Sequence, residues 1–144
     1  MASTSTSQPS SHPGSEAEVR ALVDTWVNAV RAKDAIVMMR NYAEDVVIFD
    51  VVPPVHSRGV APYRERWQQW FDSLEGPVGF EMAEMHLTAG EDLAFWYSVG
   101  RISSTPKGGA PQQAWVRATV CFRKIAGRWL VVHEHASMPV SFNA

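Results

Sequence analysis

Two short segments of the chain carry most of the side chains that are suited to acid–base chemistry. Asp50 ends an apolar run of β-branched residues, so a strand would carry its carboxylate to the end of a sheet. Near the C-terminus, His133 and His135 flank Glu134, and Arg117 lies in the apolar stretch before them. A partly desolvated carboxylate can take up a proton and return it, whereas His or Arg can stabilise charge developing on an oxygen. Asp50, His133 and Arg117 are therefore the candidate catalytic residues.

Each of these residues also has a structural alternative. An aspartate before a proline-rich turn commonly hydrogen bonds to that turn, so Asp50 could serve only as a turn cap. The histidine pair has three alternatives: hydrogen bonds across a sheet or in an interface, a substrate-binding cluster with Arg117 and Asp50, or metal ligation. Ligation would need a third residue, for which His56, His86 and Glu134 are the candidates. We predict no metal and no cofactor.

Alternation along the last predicted strand does not decide which residues face a pocket. Trp129, Val131, His133 and His135 would form one row, and Glu134 would belong to the other. A single bulge would exchange the two rows, so the orientation of the strand stays open.

The aromatic residues are candidates for either a core or a ligand cavity. Trp26, Trp67 and Trp96 are the predicted pocket residues, together with Glu134 and His135. Aromatic stripes at helical spacing are more typical of a plain core, which is the alternative for most of these rings. The single cysteine, Cys121, lies in an apolar run and is interpreted as a small buried side chain.

Sequence patterns in the first half of the chain predict three helices and one strand that would position these side chains. Ser15 and Glu18 match a capping box, which predicts a helix whose apolar stripe includes Val19, Val23, Trp26 and Val30. Asp34 would cap a short second helix that reaches Tyr42, and the run 46–50 predicts the first strand. A proline-rich loop over 51–59 leads to a third helix with Pro62 in its first turn, and Gly76-Pro77 would end that helix.

Four further strands are predicted over 78–88, 93–103, 113–125 and 128–138. Turn residues at 90–92 and at 126–127 fit hairpins between them. Helices early in the chain and an antiparallel meander late in it favour the α+β class over alternating α/β. We predict a disordered, Ser-rich tail over residues 1–14 and a single domain over residues 15–144.

Composition restricts the partners of this domain. The formal net charge of −2 provides no basic surface for nucleic acid. No apolar run approaches the length of about 20 residues that a membrane span needs. The N-terminal segment lacks the charge and the apolar core of a secretory signal, so the expected location is the cytoplasm.

Two segments resemble a known superfamily. The stretch from Lys33 to Asp50 is similar to the N-terminal half of bacterial ketosteroid isomerases, with an acidic helix cap, a Tyr-Ala-acid-Asp step and a strand that ends in Asp. The ending from Arg128 to Pro139 resembles the last strand of SnoaL-like proteins and of ketosteroid-isomerase homologues. A similar Trp and His-x-His-x-Ser pattern occurs in the kinase-association domains of the same NTF2-like superfamily. The resemblance covers residues 15–142.

The resemblance implies a fold and a chemistry. The fold would be a cystatin-like cone, in which three N-terminal helices pack on a strongly curved, mostly antiparallel sheet that encloses a pocket. In the isomerases, an Asp at the position of Asp50 moves a proton between carbons next to a carbonyl. Their pocket tyrosines match Trp26 and Trp67, and their second acid falls near Ala118, so neither oxyanion donor is retained. The same match places Glu134 inside the pocket and the histidines outside.

The predicted function is therefore proton transfer beside the carbonyl of a small hydrophobic molecule, by an isomerase-like or polyketide-cyclase-like enzyme. Asp50 would be the base, and Arg117 or His133 would stabilise the oxyanion. The alternative is a non-catalytic ligand-binding or assembly module, because this fold also occurs in scaffolds. The resemblance further implies a homodimer formed through the outer face of the sheet.

Overall fold

A computed structural model of the chain describes residues 12–142, in which three helices pack against one six-stranded sheet. The helices are α1 (Pro13–Arg31), α2 (Ala35–Met39) and α3 (Val60–Asp72). The strands are β1 (Tyr42–Phe49), β2 (Ser57–Arg58), β3 (Leu74–Ala89), β4 (Leu93–Pro106), β5 (Gln112–Ile125) and β6 (Arg128–Ser137). Early helices and a late run of strands confirm the predicted α+β class. None of the helices in residues 12–142 is both long and apolar enough to span a membrane.

The strands are arranged in the order β2-β1-β6-β5-β4-β3. All neighbours are antiparallel except β1 and β6, which run parallel, and the third helix and four strands lie between these two strands in the chain. The long strands β3 to β6 curl around the helices, and the sheet does not close, since β2 and β3 form its two edges. The β1–β6 pairing brings residues near 48 beside residues near 134.

The start of α1 differs from the prediction. The helix begins at Pro13, and the N-cap residue before it, His12, makes no capping side-chain hydrogen bond. The predicted cap at Ser15 is wrong, because Pro at the first helical position starts the helix earlier. Glu18 instead accepts a hydrogen bond from the Trp129 indole at 2.8 Å, which ties α1 to the sheet. The remainder of the predicted tail, residues 1–11, lies outside the described residues.

The first strand is longer than predicted, whereas the second helix is shorter. Asp34 caps α2 as predicted, accepting a hydrogen bond from the Val37 amide at 3.0 Å. The helix nevertheless ends at Met39, and Tyr42 already belongs to β1. The two-residue strand β2 lies inside the predicted loop 51–59 and was not predicted, since so short a segment has no periodicity to detect.

Gly76 and Pro77 lie within β3 rather than between two elements. Gly76 has a φ of +71°, which a residue with a side chain rarely adopts. The pairing of β3 with β4 shifts register between Glu75 and Gly79. These turn-forming residues therefore produce an irregularity in a strand, and helix α3 ends earlier, at Asp72.

A bulge in β6 decides which of its residues face the helices. Cys121 pairs with His133 whereas Phe122 pairs with Val131, so Val132 is an extra residue in β6. Trp129 and Val131 are buried before the bulge, and Glu134 is buried after it. The predicted single row of Trp129, Val131, His133 and His135 is therefore wrong, because the bulge moves the histidines to the opposite face.

The core fills the space between the helices and the concave face of the sheet. Its most deeply buried side chains come from two elements, Val19, Val23 and Val30 of α1 together with Val46 and Ile48 of β1. The valine spacing of 4 and 7 residues along α1 is that of one helical face. Their burial holds α1 against the concave face of the sheet.

Two isoleucines provide a matched test of this packing. Ile48 is 1% exposed and Ile36 is 70% exposed. We expect Ile48→Ala to lower the free energy of unfolding by about 2–5 kcal/mol, because it leaves a cavity in the core. Ile36→Ala should change it by less than about 0.5 kcal/mol. Urea denaturation of both variants measures this difference, and equal losses would contradict the core described above.

Candidate functional site

One cavity of about 350 Å³ lies between α1, α3 and the concave face of the sheet. Its volume is within the range of about 300–1,000 Å³ that is typical of small-molecule sites. Strands β4, β5 and β6 form its floor, the helices form its roof, and residues 50–52 after β1 lie at its side. The lining is mostly aromatic and aliphatic, so its few polar side chains would orient a ligand.

A buried carboxyl group lies in this cavity. Glu134 is only 4% exposed and accepts hydrogen bonds from two tyrosine hydroxyls. Tyr42 of β1 donates to Oε1 at 2.5 Å, and Tyr63 of α3 donates to Oε2. The three side chains join α3, β1 and β6 at one point. Each carboxyl oxygen therefore has a fixed partner, which sets the direction of the group.

Burial determines the protonation of this cluster. Loss of solvation raises the pKa of Glu134 above its ordinary value of 4.5, although the two tyrosine hydrogen bonds act in the opposite direction. The negative charge of Asp50 raises the pKa of Glu134 further. Burial, and then the charge of Glu134, raise the pKa of both Tyr42 and Tyr63, so these hydroxyls stay protonated and act as donors.

A second carboxyl group reaches the cavity from the end of β1. Asp50 Oδ1 accepts a hydrogen bond from the Val51 amide at 2.7 Å, and Oδ2 lies 3.3 Å from Nη2 of Arg66. Arg66 also donates to Ser57 Oγ at 3.0 Å and lies over the ring of Tyr63, 5.3 Å from its centroid. Asp50 therefore makes the turn-capping contact that the sequence allows, and it also lies in the cavity wall.

The aromatic wall consists of edge-to-face rings. Trp26 of α1 lies at its centre, with ring centroids 6.1 Å from Trp67, 5.7 Å from Phe80 and 6.4 Å from Trp96. Such contacts hold rings rigidly at right angles. The three tryptophans predicted for the pocket all line the cavity. Trp96 also belongs to the hydrophobic core, and Trp26 and Trp67 pack against that core.

The structure does not bring the predicted histidines and arginine to the cavity. His133 Nδ1 donates to the Val47 carbonyl at 2.8 Å, and both His133 and His135 contact the ring of Phe49. Arg117 Nε donates to Ser137 Oγ at 3.1 Å and is exposed. All of these lie on the outer face of the sheet. The bulge at Val132 turns the histidines away from the cavity, whereas Arg117 faces outward because its neighbours on β5, Val116 and Ala118, line the cavity. Glu134, between the two histidines, faces inward and lines the cavity.

The histidines offered as metal ligands are also dispersed. His86 of β3 stacks on Tyr97, with ring centroids 4.9 Å apart, and His56 is exposed in the loop before β2. In residues 12–142, no group of three His, Cys, Asp or Glu side chains is placed to hold a metal ion. Cys121 is half-buried on the outer face, where burial raises the pKa of its thiol.

Three polar residues of the site were missed from the sequence, namely Tyr42, Tyr63 and Arg66. Tyr63 and Arg66 share one face of α3 with Trp67 and Trp70, at spacings of three, four and seven residues. A tyrosine and an arginine among tryptophans on one helical face are the signal that could have indicated a pocket-facing polar group. Tyr42 had no such signal, because the pairing of β1 with β6 is what brings it to Glu134.

Comparison with known proteins agrees with this architecture. The family model described as the SnoaL-like domain matches residues 19–141. The chain belongs to the SnoaL-like family. No protein of curated function matches its sequence.

Solved structures share the fold of this SnoaL-like domain. An NTF2-like protein of unknown function from Pseudomonas putida is 32% identical over 92% of both chains, with a TM-score of 0.82. A ketosteroid isomerase-like protein from Erwinia carotovora is 20% identical, over 90% of this chain and 100% of its own, with a TM-score of 0.74. An NTF2-like protein with a cystatin-like fold from Novosphingobium aromaticivorans is 17% identical, over 92% and 86%, with a TM-score of 0.73. The predicted NTF2-like, cystatin-like fold is therefore confirmed.

The raised pKa of Glu134 predicts a specific pH dependence of stability. The folded domain holds the Glu134 proton more tightly than the unfolded chain, whose pKa is near the ordinary 4.5. The bound proton on Glu134 therefore stabilises the folded domain. This contribution to the free energy of unfolding is complete below about pH 4.5 and is lost as the pH rises through the folded-state pKa of Glu134. We therefore expect the melting temperature of the native protein, minus that of Glu134→Gln, to fall as the pH rises above about 4.5.

The matched control is Glu91→Gln, at an exposed turn residue. The same measurement on this variant gives the effect of removing a carboxyl group at the surface, with which the result for Glu134→Gln is compared. A pH-independent difference for Glu134→Gln would contradict the raised pKa.

Proposed function

We propose that this SnoaL-like domain binds a small hydrophobic carbonyl compound and transfers a proton at the carbon next to the carbonyl. The observation that carries the proposal is that two carboxyl groups in different environments, Asp50 and Glu134, line the same apolar cavity. Paired carboxyl groups whose surroundings differ in this way suit a division into base and acid.

Asp50 acts as the base. Its carboxylate lies at the cavity wall, 18% exposed, with its direction fixed by the Val51 amide and Arg66. In the proposed step, Asp50 takes a proton from the carbon next to the carbonyl, so a C–H bond breaks, an O–H bond forms and the electron pair moves to the carbonyl oxygen as an enolate. Arg66 holds the carboxylate in position before and after this transfer.

Glu134 acts as the acid. Because burial raises its pKa, it keeps a proton at a pH where an exposed glutamate has lost it. It can donate that proton to the enolate, while Tyr42 and Tyr63 hold the carboxyl group in place. In this proposal Glu134 takes the place that the sequence suggested for Arg117 or His133, which lie on the outer face.

A non-catalytic binding module is the second candidate. The observation that favours it is the hydrogen bond from the Val51 amide to Asp50, which is the contact expected of a structural turn cap. The salt bridge to Arg66 has the same effect of holding Asp50 in place. Binding of a ketone without proton exchange would be the behaviour of such a module.

Exchange of hydrogen for deuterium separates the two functions. We expect the protein to accelerate exchange at the acidic C1 position of 2-tetralone in D₂O, followed by proton NMR. Asp50→Asn should lower the protein-catalysed rate by about 100-fold or more, since general base catalysis contributes about 10²–10⁴. Asp24→Asn, an exposed change on α1, should leave the rate unchanged.

Two results would oppose the enzyme proposal. No acceleration over buffer by the native protein would favour the binding module. Acceleration that persists in full in Asp50→Asn would remove Asp50 from the role of base.

We also propose that two copies of the chain associate through the outer face of the sheet. Large apolar side chains are exposed there, among them Phe95 at 42% and Trp115 at 47%. Phe95 stacks with Tyr97, and Arg101 lies over the ring of Trp115. Several exposed aromatic side chains on one face of a sheet are typical of an interface. The outer-face position of His133 and His135 fits a role in this contact.

Light scattering coupled to size exclusion tests this association. We expect the native protein to have the mass of a dimer and Phe95→Glu to have that of a monomer, because the substitution places a charge in the apolar contact. Ile36→Glu, at a residue exposed on α2, should leave the dimer intact. A native monomer, or a dimer that persists in Phe95→Glu, would contradict the proposal.

A further inference from the structure

Ser98 is a buried polar side chain in the floor of the cavity. It is only 5% exposed, it lines the cavity from the middle of β4, and its hydroxyl makes no hydrogen bond within residues 12–142. In the same range, the side-chain atoms that are sealed from solvent without a partner belong to Trp26, Arg66 and Trp67. The Ser98 oxygen is not one of these sealed atoms, so it keeps accessible surface, and that surface faces the cavity.

The neighbours of Ser98 in the sheet cannot satisfy its hydroxyl. Ala118 of β5 lies opposite it on one side and Met85 of β3 on the other, and neither side chain has an oxygen or nitrogen atom. A hydroxyl in apolar surroundings is costly unless it is hydrogen bonded. The partner of Ser98 is therefore a molecule inside the cavity, which is water before binding and a ligand atom after it.

A row of small side chains connects Ser98 with Asp50. The pairing of β1 with β6 brings Asp50 beside Ala136, and Ala136, Ala118 and Ser98 follow one another across β6, β5 and β4. Both alanines lie in the middle of the sheet and are still partly exposed, because the cavity lies above them. We call these four residues the trough. Neighbouring strands lie about 4.8 Å apart, so the backbones at its two ends are about 14 Å apart.

We propose that the trough binds an elongated ketone that carries a second, neutral oxygen, and that the Ser98 hydroxyl forms a hydrogen bond with this second oxygen. The inference rests on the proposed function in one respect, since the carbonyl end of the ligand is assigned to Asp50. It adds the contact at the far end and thereby the ligand class. The sheet curls towards the cavity, so the two side chains approach each other more closely than their backbones do, which suits a molecule of two or three fused rings.

The surroundings of Ser98 favour an uncharged group. A serine hydroxyl both donates and accepts, so it can pair with a hydroxyl or a carbonyl oxygen. Arg66, the cation among the described residues that line the cavity, lies beside Asp50 at the other end, so an anion at Ser98 would have no opposite charge. Ser104 and Gln112 also line the cavity, but near the ends of β4 and β5, where water competes for their hydrogen bonds.

The contact at Ser98 also determines the direction in which the ligand lies. A ketone with an apolar far end leaves the hydroxyl of Ser98 unpaired, whereas a ketone with a second oxygen satisfies it. With that oxygen bound, the molecule does not turn end for end, and its carbonyl group stays beside Asp50 and Glu134. Ser98 therefore selects the ligand and holds its reacting end at the two carboxyl groups.

Two bicyclic ketones test the contact by isothermal titration calorimetry on the native protein. 6-Hydroxy-2-tetralone carries an oxygen at the end opposite to its carbonyl group, and 6-methyl-2-tetralone replaces this hydroxyl by a methyl group of nearly the same size. We expect the hydroxyl compound to bind severalfold more tightly, since a site that hydrogen bonds a ligand hydroxyl discriminates against the analogue without it.

Variants of Ser98 assign this preference to its hydroxyl. In Ser98→Ala the ratio of the two dissociation constants should fall by about tenfold, because the ligand hydroxyl is then buried without a partner. Ser98→Thr keeps a hydroxyl and should keep the preference. Ser104→Ala is the matched control, since it removes a hydroxyl from the same strand and the same cavity, and it should also keep the preference.

A further variant tests the position of the ligand. Ala118→Leu fills the middle of the trough, so we expect both ketones to bind at least about tenfold more weakly, by overlap with the added side chain. Unchanged affinity in this variant would show that the ligand does not lie along the trough. Circular dichroism melts establish that each variant is folded, and the comparison of the two ketones on the native protein needs no variant.

Three further results would overturn the inference. These are equal or tighter binding of the methyl compound by the native protein, no binding of either ketone up to its solubility limit, and a hydroxyl preference that survives in full in Ser98→Ala. The outcome is distinct from that of the exchange experiment. A hydroxyl preference without deuterium exchange would contradict the proposed reaction alone, whereas exchange without a hydroxyl preference would contradict this inference alone.

Discussion

The site depends on one constraint, which is that a carboxyl group buried to 4% exposure must have its hydrogen-bonding capacity met inside the protein. Tyr42 and Tyr63 meet it for Glu134, and because they come from β1 and α3, the same two hydrogen bonds fix where these elements lie over β6. The rest of the cavity follows from that placement. Once α3 is held over β6, its Arg66 reaches Asp50 and its Trp67 contacts Trp26. The two hydrogen bonds of Glu134 therefore also determine where the salt bridge and the tryptophan rings of the cavity lie.

Most of the helices and strands could be predicted from periodicity, because the residues within each element determine its structure. The valines of α1 recur at helical spacing and the run 46–48 has the composition of a strand, and both became the core. Asp34 capped α2 as a local hydrogen bond would. The errors occur where distant contacts override local signals. Gly76 and Pro77 usually end elements, but pairing with β4 carries β3 through them, and β2 exists only because β1 lies beside it.

The site was less predictable, and the reason is the bulge at Val132. Strand alternation assigns a face to each residue only while the register is unbroken, and nothing in the sequence 129–135 marks where the extra residue falls. Asp50 and the tryptophans could be placed in the cavity because a strand end and a helical stripe are local features. The pairing of Asp50 with Arg66, and of Glu134 with two tyrosines, depends on contacts between distant segments, so only the three-dimensional structure brings these partners together.

The parallel pairing of β1 with β6 also has a consequence for when the cavity comes into existence. Ile48 lies opposite Glu134, so Asp50 and Glu134 become neighbours only after the last strand has docked beside the first. Contacts between such distant segments form slowly, since a long loop must close before they are made. A chain emerging from the ribosome would therefore hold its helices and early strands before it held the cavity. The presence of the cavity then reports completed assembly of the sheet, and substitutions in β6 far from the cavity can lower the fraction of molecules that contain it without touching its walls.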